Sequence, residues 1–294
     1  MIIIRLNGGL GNQMFQYAMG RATSLHNNVN FKIDVVTGIH PNDTQRLYAL
    51  GNFNIIEDFA SKTEINNLKY PLGLLSKIYR FTRKKIFRQF YKGFDEHMFH
   101  VGDNAYLDGF WQSWKYFDDV ADSIRKDFTL KNSLSDRAKK IADAMQQVNA
   151  VSVHVRRGDY VSNATLQRNY GVCSETYYHK AIDAMYAQVE NPVFFVFSDD
   201  IAWIKSHQSL FSRSQEHENK NPKIFYVSDY HLPDYEELML MASCKHHIIA
   251  NSSFSWWGAW LDSNKEKIVI APKVWFKKKS LVPKDLLPPS WIQF

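Results

Sequence analysis

Two adjacent arginines and an aspartate follow directly after a predicted strand, a position where an α/β protein can bind an anion. Arg156, Arg157 and Asp159 follow residues 150–155, which alternate β-branched with polar side chains and lead into Gly158. This alternation predicts a core strand that ends in a turn. Open α/β folds bind ligands at the carboxyl ends of their strands, and guanidinium groups match phosphate oxygens in bidentate pairs. Two interpretations fit equally: a phosphate site, or a structural Arg–Asp ion pair with the second arginine in solvent.

Two further polar clusters follow predicted strands in the same half of the chain. They are Ser198–Asp200, and Asn251–Ser255, which also opens a predicted helix. Hydroxyls at a helix start suit N-capping, and the free N–H groups there suit a phosphate. A carboxylate of Asp199 or Asp200 could accept hydrogen bonds from guanine or from a ribose. Each cluster alone would be explained by capping, but the three together predict a site for a nucleoside diphosphate.

A glycine-rich turn opens the chain. Ile2–Leu6 predicts a short buried strand, Asn7–Gln13 the turn, and the residues from about Met14 to Leu25 a helix. Free N–H groups at such a helix start can meet an anion. The G-x-G-x-x-G spacing of dinucleotide sites is absent, which argues against an NAD site.

The elements that would position these clusters alternate regularly between strand and helix over residues 150–271. This alternation predicts a parallel, doubly wound α/β sheet. A chain of 294 residues is too long for one ordinary core. We therefore predict two domains, 1–148 and 149–294, and expect the proline-rich tail to have room to pack on the first.

Composition restricts the partners and the compartment. The net charge of +6 favours acidic partners, and two cysteines without metal or disulfide spacing fit a reducing compartment. We expect no signal peptide and no membrane span, because no apolar run is long enough. Between Lys77 and Lys92, seven basic residues are interleaved with Phe and Ile. They predict a basic helix that lies on an anionic membrane or is a solvated face. Gly109–Trp114 is either an acceptor-sugar surface or a packed corner.

Three stretches resemble a known family. His154–Tyr160 resembles the H-x-R-R-x-D signature of fucosyltransferases that use GDP-fucose, and Gly8–Ala18 and Ser252–Leu261 are similar to segments of bacterial α-1,2-fucosyltransferases. They occur in the family's order over nearly the whole chain. The resemblance implies two Rossmann-like domains facing a cleft, the B-type glycosyltransferase fold. It also implies inverting transfer of L-fucose from GDP-β-L-fucose to the 2-hydroxyl of a terminal galactoside, in surface glycan synthesis.

The resemblance also implies roles for individual residues. Arg156 would hold the β-phosphate and the leaving oxygen, so that the residues expected to be catalytic are Arg156, Asn12 and Asp159. His154 and one of two aspartates would contact the nucleoside, the glycine-rich turn would close over the donor, and the helix start at Ser252 would take the phosphates. The residues expected to bind the donor are Gly9, Gly11, Gln13, His154, Arg157, Asp199, Asp200, Ser252, Ser253 and Ser255.

The residues are consistent with chemistry that needs no metal. Many transferases hold a divalent cation with D-x-D, which occurs nowhere in this chain, so arginine would take the place of that cation. No cofactor is expected besides the donor, GDP-fucose. Candidates for a general base are Asp34, His40 and Asp108, at predicted strand ends of the first domain.

The expected acceptor is a galactose-terminated oligosaccharide or a lipid-linked glycan. We expect a cytoplasmic location, with peripheral contact to the anionic inner face of the plasma membrane as an open alternative, and no nucleic acid partner. Two other functions stay open: a fucosyltransferase of α-1,6 or protein O-linkage, and a basic, tryptophan-rich module that binds glycan or membrane without catalysis.

Overall fold

Two compact units make up the chain, as described by a computed structural model. The first unit comprises Met1–Asn132 and Val282–Leu287, and the second comprises Ser133–Leu281 and Pro288–Phe294. The residues that the structure describes are 1–39, 47–69, 86–89, 93–211, 222–278, 281 and 284–294. Within these ranges no helix is long and apolar enough to cross a membrane.

The first unit holds a four-stranded parallel sheet in the order β2-β1-β4-β3. Its strands are β1 (Ile2–Arg5), β2 (Phe31–Asp34), β3 (Ile86–Gln89) and β4 (Ala105–Gly109). Its helices are α1 (Leu10–Asn27), α2 (Lys62–Lys69) and α3 (Ala121–Asp127). The isoleucines of β1 are fully buried, as expected of a parallel strand covered on both faces. Helix α1 begins at Leu10, inside the predicted turn Asn7–Gln13, so the helix starts four residues earlier than the sequence predicted.

Strand β3 corrects the predicted basic helix. Ile86–Gln89 pairs in parallel with β4, with Arg88 opposite Asp108. A helix running through these four residues is therefore wrong, because here the chain forms sheet hydrogen bonds with β4. Residues 77–85 and 90–92 of that prediction lie outside the described residues.

The second unit holds a six-stranded parallel sheet in the order β10-β9-β8-β5-β6-β7. Its strands are β5 (Asn149–Val155), β6 (Pro192–Ser198), β7 (Lys223–Tyr226), β8 (His246–Ile248), β9 (Val269–Ala271) and β10 (Ile292–Gln293). Its helices are α4 (Asp136–Gln146), α5 (Gly158–Ser162), α6 (Ala164–Asn169), α7 (Glu175–Gln188), α8 (Ile201–Ser206), α9 (Asp234–Ala242) and α10 (Ser253–Leu261). The predicted parallel α/β sheet is confirmed.

The strand order places a switch point beside β5. From β5 the chain adds β6 and β7 on one side, and then returns to add β8 and β9 on the other. Crossover connections therefore diverge between β5 and β8, and such a point leaves a crevice at the carboxyl ends of the strands where ligands bind. The arginine pair follows β5, and the start of α10 follows β8.

Helix α4 belongs to the second unit, so the units divide after Asn132 and not near residue 148. The reason is a buried carboxylate: Glu236 on α9 accepts the backbone N–H of Ser135 at 2.6 Å and its hydroxyl at 2.9 Å. Ser135 is the N-cap of α4, and Ala138 and Met145 of that helix pack in a core cluster with β6 and α9. Most residues of this helix are polar, so the sequence did not indicate that it packs on the second sheet.

A buried polar chain ties α10 to the sheet. The Ser152 hydroxyl on β5 lies 2.8 Å from Nδ1 of His247 on β8, and Nε2 of His247 lies 3.0 Å from Oδ2 of Asp262. All three side chains are buried, so no substrate reaches them. Burial lowers the pKa of His247, and Asp262 opposes that effect. These hydrogen bonds connect the end of α10 to β5 and β8, the two strands that flank the switch point.

Candidate functional site

Arg156 lies between two carboxylates at the end of β5. Its Nη2 donates to Oδ1 of Asp159 at 2.8 Å, and its Nε lies 3.1 Å from Oδ2 of Asp199. The structural ion pair that the sequence left open is therefore present. Arg156 still exposes 32% of its side chain. Burial alone would lower the pKa of Arg156, but Asp199 and Asp159 outweigh it and raise that pKa, so the guanidinium stays charged.

Arg157 is held by both its backbone and its side chain. Its backbone N–H donates to Oδ1 of Asp199 at 2.8 Å, and its Nε lies 3.5 Å from Oδ2 of Asp200. Its guanidinium carbon lies 3.8 Å from the ring centroid of Trp203, which is a cation–π contact. Trp203 is a site residue that sequence reasoning missed, because it reaches Arg157 only through the fold of α8.

Asp199 and Asp200 are both engaged within the protein. Asp199 binds the two arginines, whereas Oδ1 of Asp200 accepts the backbone N–H of Trp203 at 3.1 Å and so caps α8. Gly158 explains the close approach of Asp199: a Cβ at that position would lie 2.6 Å from the Asp199 Oδ2 atom. Asp200 is the more exposed of the two carboxylates, at 37% against 26%.

His154 carries a buried ring nitrogen without a partner. Its side chain is 4% exposed, and Nδ1 makes no hydrogen bond with any described residue. Burial, helped by the charge of Arg156, lowers the pKa of His154 to about 3, so the ring is neutral near pH 7. Buried polar atoms are nearly always satisfied, and a bound ligand is one way to satisfy this one.

The three serines predicted to bind the donor at the start of α10 have different surroundings. The Ser252 hydroxyl accepts the backbone N–H of Phe254 at 3.3 Å as the N-cap. The Ser255 hydroxyl is fully buried and donates to the carbonyls of Ala250 and Ser252. Both hydroxyls therefore serve the helix itself. Ser253, at the first helical position, is only partly buried.

Asn251, just before these serines, joins the arginine turn to α10. Its carbonyl accepts the Tyr160 hydroxyl at 3.3 Å, and its amide donates to the carbonyls of Gly171 and Trp275, each at 3.1 Å. Three predicted polar clusters thus meet at one edge of the second sheet: Arg156 with its partners, Ser198–Asp200 and Asn251–Ser255.

The predicted residues of the first unit lie at the start of α1. Gln13 is fully buried, where its amide donates to the carbonyls of Gly8 and Leu47 and accepts the N–H of Ala49. Its role there is structural. Asn12 is only partly buried, and its Oδ1 accepts from Nε2 of Gln112 at 2.9 Å. Gly9 precedes the helix, where a Cβ added to it would meet no atom within 4 Å, and Gly11 is buried.

The candidates for a general base differ in their surroundings. Asp34 is fully buried, and its two oxygens accept from the backbone of Val36 and Thr37 and from the hydroxyls of Thr37 and Tyr106. An acceptor hydroxyl could not reach this carboxylate without breaking those bonds. Asp108 lies between two guanidiniums, 2.9 Å from Arg5 Nη1 and 3.5 Å from Arg88 Nε. His40 lies outside the described residues.

Comparison with known proteins identifies the family of this chain. The sequence pattern of Glycosyl transferase family 11 matches residues 1–294, which is the whole chain. The chain belongs to glycosyl transferase family 11. The predicted family and the predicted class of enzyme, a glycosyltransferase, are thereby confirmed.

Relatives of this family 11 enzyme cover most of its length. An α-1,2-colitosyltransferase of Escherichia coli is 37% identical over 100% of this chain and 98% of its own. The O-antigen biosynthesis glycosyltransferase WbnK of Escherichia coli is 31% identical over 98% of each chain. The galactoside 2-α-L-fucosyltransferase Sec1 of Mus musculus is 27% identical over 89% of this chain and 64% of its own.

A solved structure shares the fold. A mutant of Arabidopsis thaliana FUT1 in complex with GDP covers 98% of this chain and 74% of its own, with a TM-score of 0.52 and 10% identity. This likeness agrees with the predicted glycosyltransferase fold of two Rossmann-like units.

Proposed function

We propose that this family 11 enzyme transfers L-fucose from GDP-β-L-fucose to the 2-hydroxyl of a terminal galactoside, with inversion and without a metal. The observation that carries the proposal is Arg156, held charged and partly exposed between Asp159 and Asp199 at the switch point of the second sheet. The α-1,2 linkage is supported by two relatives, which are named for transfer of colitose and of fucose in that linkage.

The chemistry follows from where charge develops. When the bond between fucose and the β-phosphate breaks, the sugar becomes oxocarbenium-like and the pyrophosphate gains negative charge. Fixed positive charge at the leaving oxygen is then the largest contribution that a protein can make. Arg156 supplies it, and the N–H groups at the start of α10 hold the phosphates.

Carboxylates orient this charge. Asp199 receives the Arg156 side chain and the Arg157 backbone, so both arginines keep one direction before the donor arrives. Preorganised charge stabilises a transition state without reorganisation during the reaction. Asp159 provides the second contact to Arg156. The neutral His154 ring, with its unpaired Nδ1, is assigned to the nucleoside.

Colitose is the second candidate for the transferred sugar, because the relative at 37% identity is named for it. Colitose is L-fucose without its 3-hydroxyl. A site built to bind a hydroxyl rejects the analogue lacking it by about 10⁴–10⁵-fold, whereas an apolar site discriminates weakly. The ratio of kcat/KM for the two GDP-sugars therefore decides between them.

The direct test uses the purified protein with GDP-β-L-fucose and lactose. We expect a trisaccharide whose new linkage, read by NMR, is α and joins the 2-oxygen of galactose. Arg156→Lys is the matched control for activity from contaminants. An α-1,6 product would support the alternative linkage. No transfer from either GDP-sugar to any β-galactoside would contradict the proposal and favour a non-catalytic glycan-binding module.

We propose the following acceptor, cellular location and partners for this reaction. The acceptor is a galactose-terminated oligosaccharide or lipid-linked glycan, made in the cytoplasm at the inner face of the plasma membrane. Nucleic acid is not a partner, and no cofactor is needed besides the donor. Peripheral membrane contact now depends on the basic composition of residues 77–85 and 90–92, since Ile86–Gln89 is a sheet strand.

A further inference from the structure

A pocket of about 390 Å³ opens in the first unit beside β3 and the residues that follow β4. The residues that line it include three aromatic residues, Phe87, Phe94 and Trp111, and two charged ones, Arg88 and Asp95. A pocket of this size falls in the range that small organic ligands occupy. A sugar ring has apolar C–H faces and hydroxyls that need directional partners, so it suits walls that combine flat rings with charged groups.

Trp111 carries two unusual features. Its side chain is 1% exposed, and its indole Nε1 has no hydrogen-bond partner among the described residues. Its backbone φ is 54°, in the left-handed region that bulky residues rarely adopt. An unpaired buried donor calls for an explanation, and strained backbone positions occur most often at ligand sites. The unpaired donor and the strained backbone both belong to Trp111, which lines the pocket.

The wall is held in place before any ligand binds. The rings of Phe94 and Trp111 pack on Tyr116, with centroids 5.1 and 5.9 Å away, and the Tyr116 hydroxyl accepts the N–H of Asp95 at 3.0 Å. Oδ2 of Asp285 accepts the backbone N–H of Phe94 at 3.1 Å. A pocket fixed in this way loses little conformational entropy on binding.

The loop after β4 also joins this pocket to the glycine-rich turn. Gln112, the neighbour of Trp111, donates its amide to Oδ1 of Asn12 at 2.9 Å. Gln16 on α1 donates to the carbonyl of Gly109 at 3.2 Å. The pocket and the start of α1 are thus connected by direct hydrogen bonds within the first unit.

We infer that this pocket binds a pyranose ring of the acceptor glycan, with Phe87 against its C–H face and the indole N–H of Trp111 donating to one of its hydroxyls. The inference rests on the proposed function, because it assigns the sugar to the acceptor of the transfer. An alkyl chain is the competing occupant, but it would gain nothing from Arg88, Asp95 or an unpaired N–H.

Kinetics of three variants test the assignment. Phe87→Ala removes one ring, Trp111→Phe removes the N–H while keeping an aromatic ring, and Phe59→Ala removes an exposed ring of the same unit outside the pocket. We expect the first two to raise the KM for octyl β-D-galactoside roughly tenfold, the first by loss of one aromatic contact and the second by loss of one hydrogen bond. The Kd for GDP should not change, and the control should change neither constant.

Saturation-transfer NMR without donor separates this inference from the proposed function. Ring protons of octyl β-D-galactoside should receive saturation from the wild type and lose it in Phe87→Ala. This result can be obtained even if no GDP-sugar is turned over, in which case the proposed function alone fails. Saturation confined to the octyl chain would overturn the inference. So would a KM equal to that of the control, or a parallel loss of GDP affinity.

Discussion

The Nε atom of Arg156 lies 3.1 Å from Oδ2 of Asp199, whose other oxygen accepts the N–H of Arg157 at 2.8 Å. One carboxylate therefore fixes the side chain of one arginine and the backbone of the next. The two ends come together because β5 and β6 pair in register, with Val155 opposite Ser198. The direction of the Arg156 guanidinium is set by the alignment of two central strands.

Replacing Arg156 with lysine should abolish most turnover and preserve the fold. An ammonium group cannot contact Asp159, Asp199 and a phosphate together as the planar guanidinium fork can. We expect kcat to fall by about 10²–10³, the scale for loss of one charge-stabilising donor. Steady-state kinetics with GDP-fucose measure the change, and circular dichroism controls for folding. Turnover near the wild-type level would remove Arg156 from the leaving group.

Replacing Asp200 with asparagine should weaken the binding of GDP far more than that of pyrophosphate. Asparagine is a good N-cap, so α8 should keep its start, but it offers guanine one acceptor where a carboxylate offers two. Inhibition constants for GDP and pyrophosphate give the comparison.

Asp199→Asn is the matched variant for this measurement. Its carboxylate holds the arginines, so we expect both ligands to weaken in that variant, each by about tenfold or more, as loss of a hydrogen bond to a charged group predicts. Equal losses of the two ligands in Asp200→Asn would mean that Asp200 acts only as a helix cap.

Activity should survive removal of divalent metal ions. The chain contains no D-x-D, and a pair of arginines stands where the pyrophosphate is proposed to bind. We expect the rate after dialysis against EDTA to equal the starting rate, with a metal-dependent transferase treated in parallel as the control. An absolute need for Mg²⁺ or Mn²⁺, restored on adding the ion back, would show that arginine does not replace a cation.

Acidification should destabilise the protein partly through His154. Burial lowers its pKa from 6.5 to about 3, so between these values the unfolded chain takes up a proton that the folded chain does not. The free energy of unfolding therefore decreases as the pH falls through this window, by about 1 kcal/mol from pH 6.5 to 5.5 for one such group. Urea unfolding at these two pH values measures it.

The comparison for this effect is His154→Asn, whose stability should lose that part of the pH dependence. Glu237 acts in the opposite direction, because burial raises its pKa to about 7 and the folded carboxyl binds a proton that the unfolded one releases. The difference between variant and wild type therefore isolates His154. An unchanged pH dependence would mean that His154 is not kept neutral by the fold.

Much of the second unit was predictable from local pattern. The alternation of β5 and the serine caps are properties of short stretches, and they correctly brought three polar clusters to one sheet edge. The strand does end before Gly158, but Gly158 opens helix α5 where the sequence predicted a turn. Longer-range contacts were not predictable. Trp203 reaches Arg157 only because α8 folds back along β6. The phase of α10 decides which of its serines turns inward, and a run of serines alone does not fix that phase.

The first unit was harder to predict for a different reason. Ile86–Gln89 is short and flanked by basic residues, so its apolar pair was assigned to an amphipathic helix. Pairing with β4, fixed by distant residues, decided in favour of a strand. Gln13 shows the same limit: the family resemblance implied that it contacts the donor, whereas in the structure its amide holds residues 47–49.

The last residues of the chain contribute to both units, which affects how the units fold during synthesis. Val282–Leu287 belongs to the first unit, where Asp285 contacts Phe94, and β10 then adds a strand to the second sheet. These residues are translated after every other part of both units. Neither unit can therefore complete its native contacts while the preceding residues are emerging from the ribosome. The first unit lacks part of its chain until synthesis has passed residue 287, and the second lacks an edge strand until synthesis has passed residue 293.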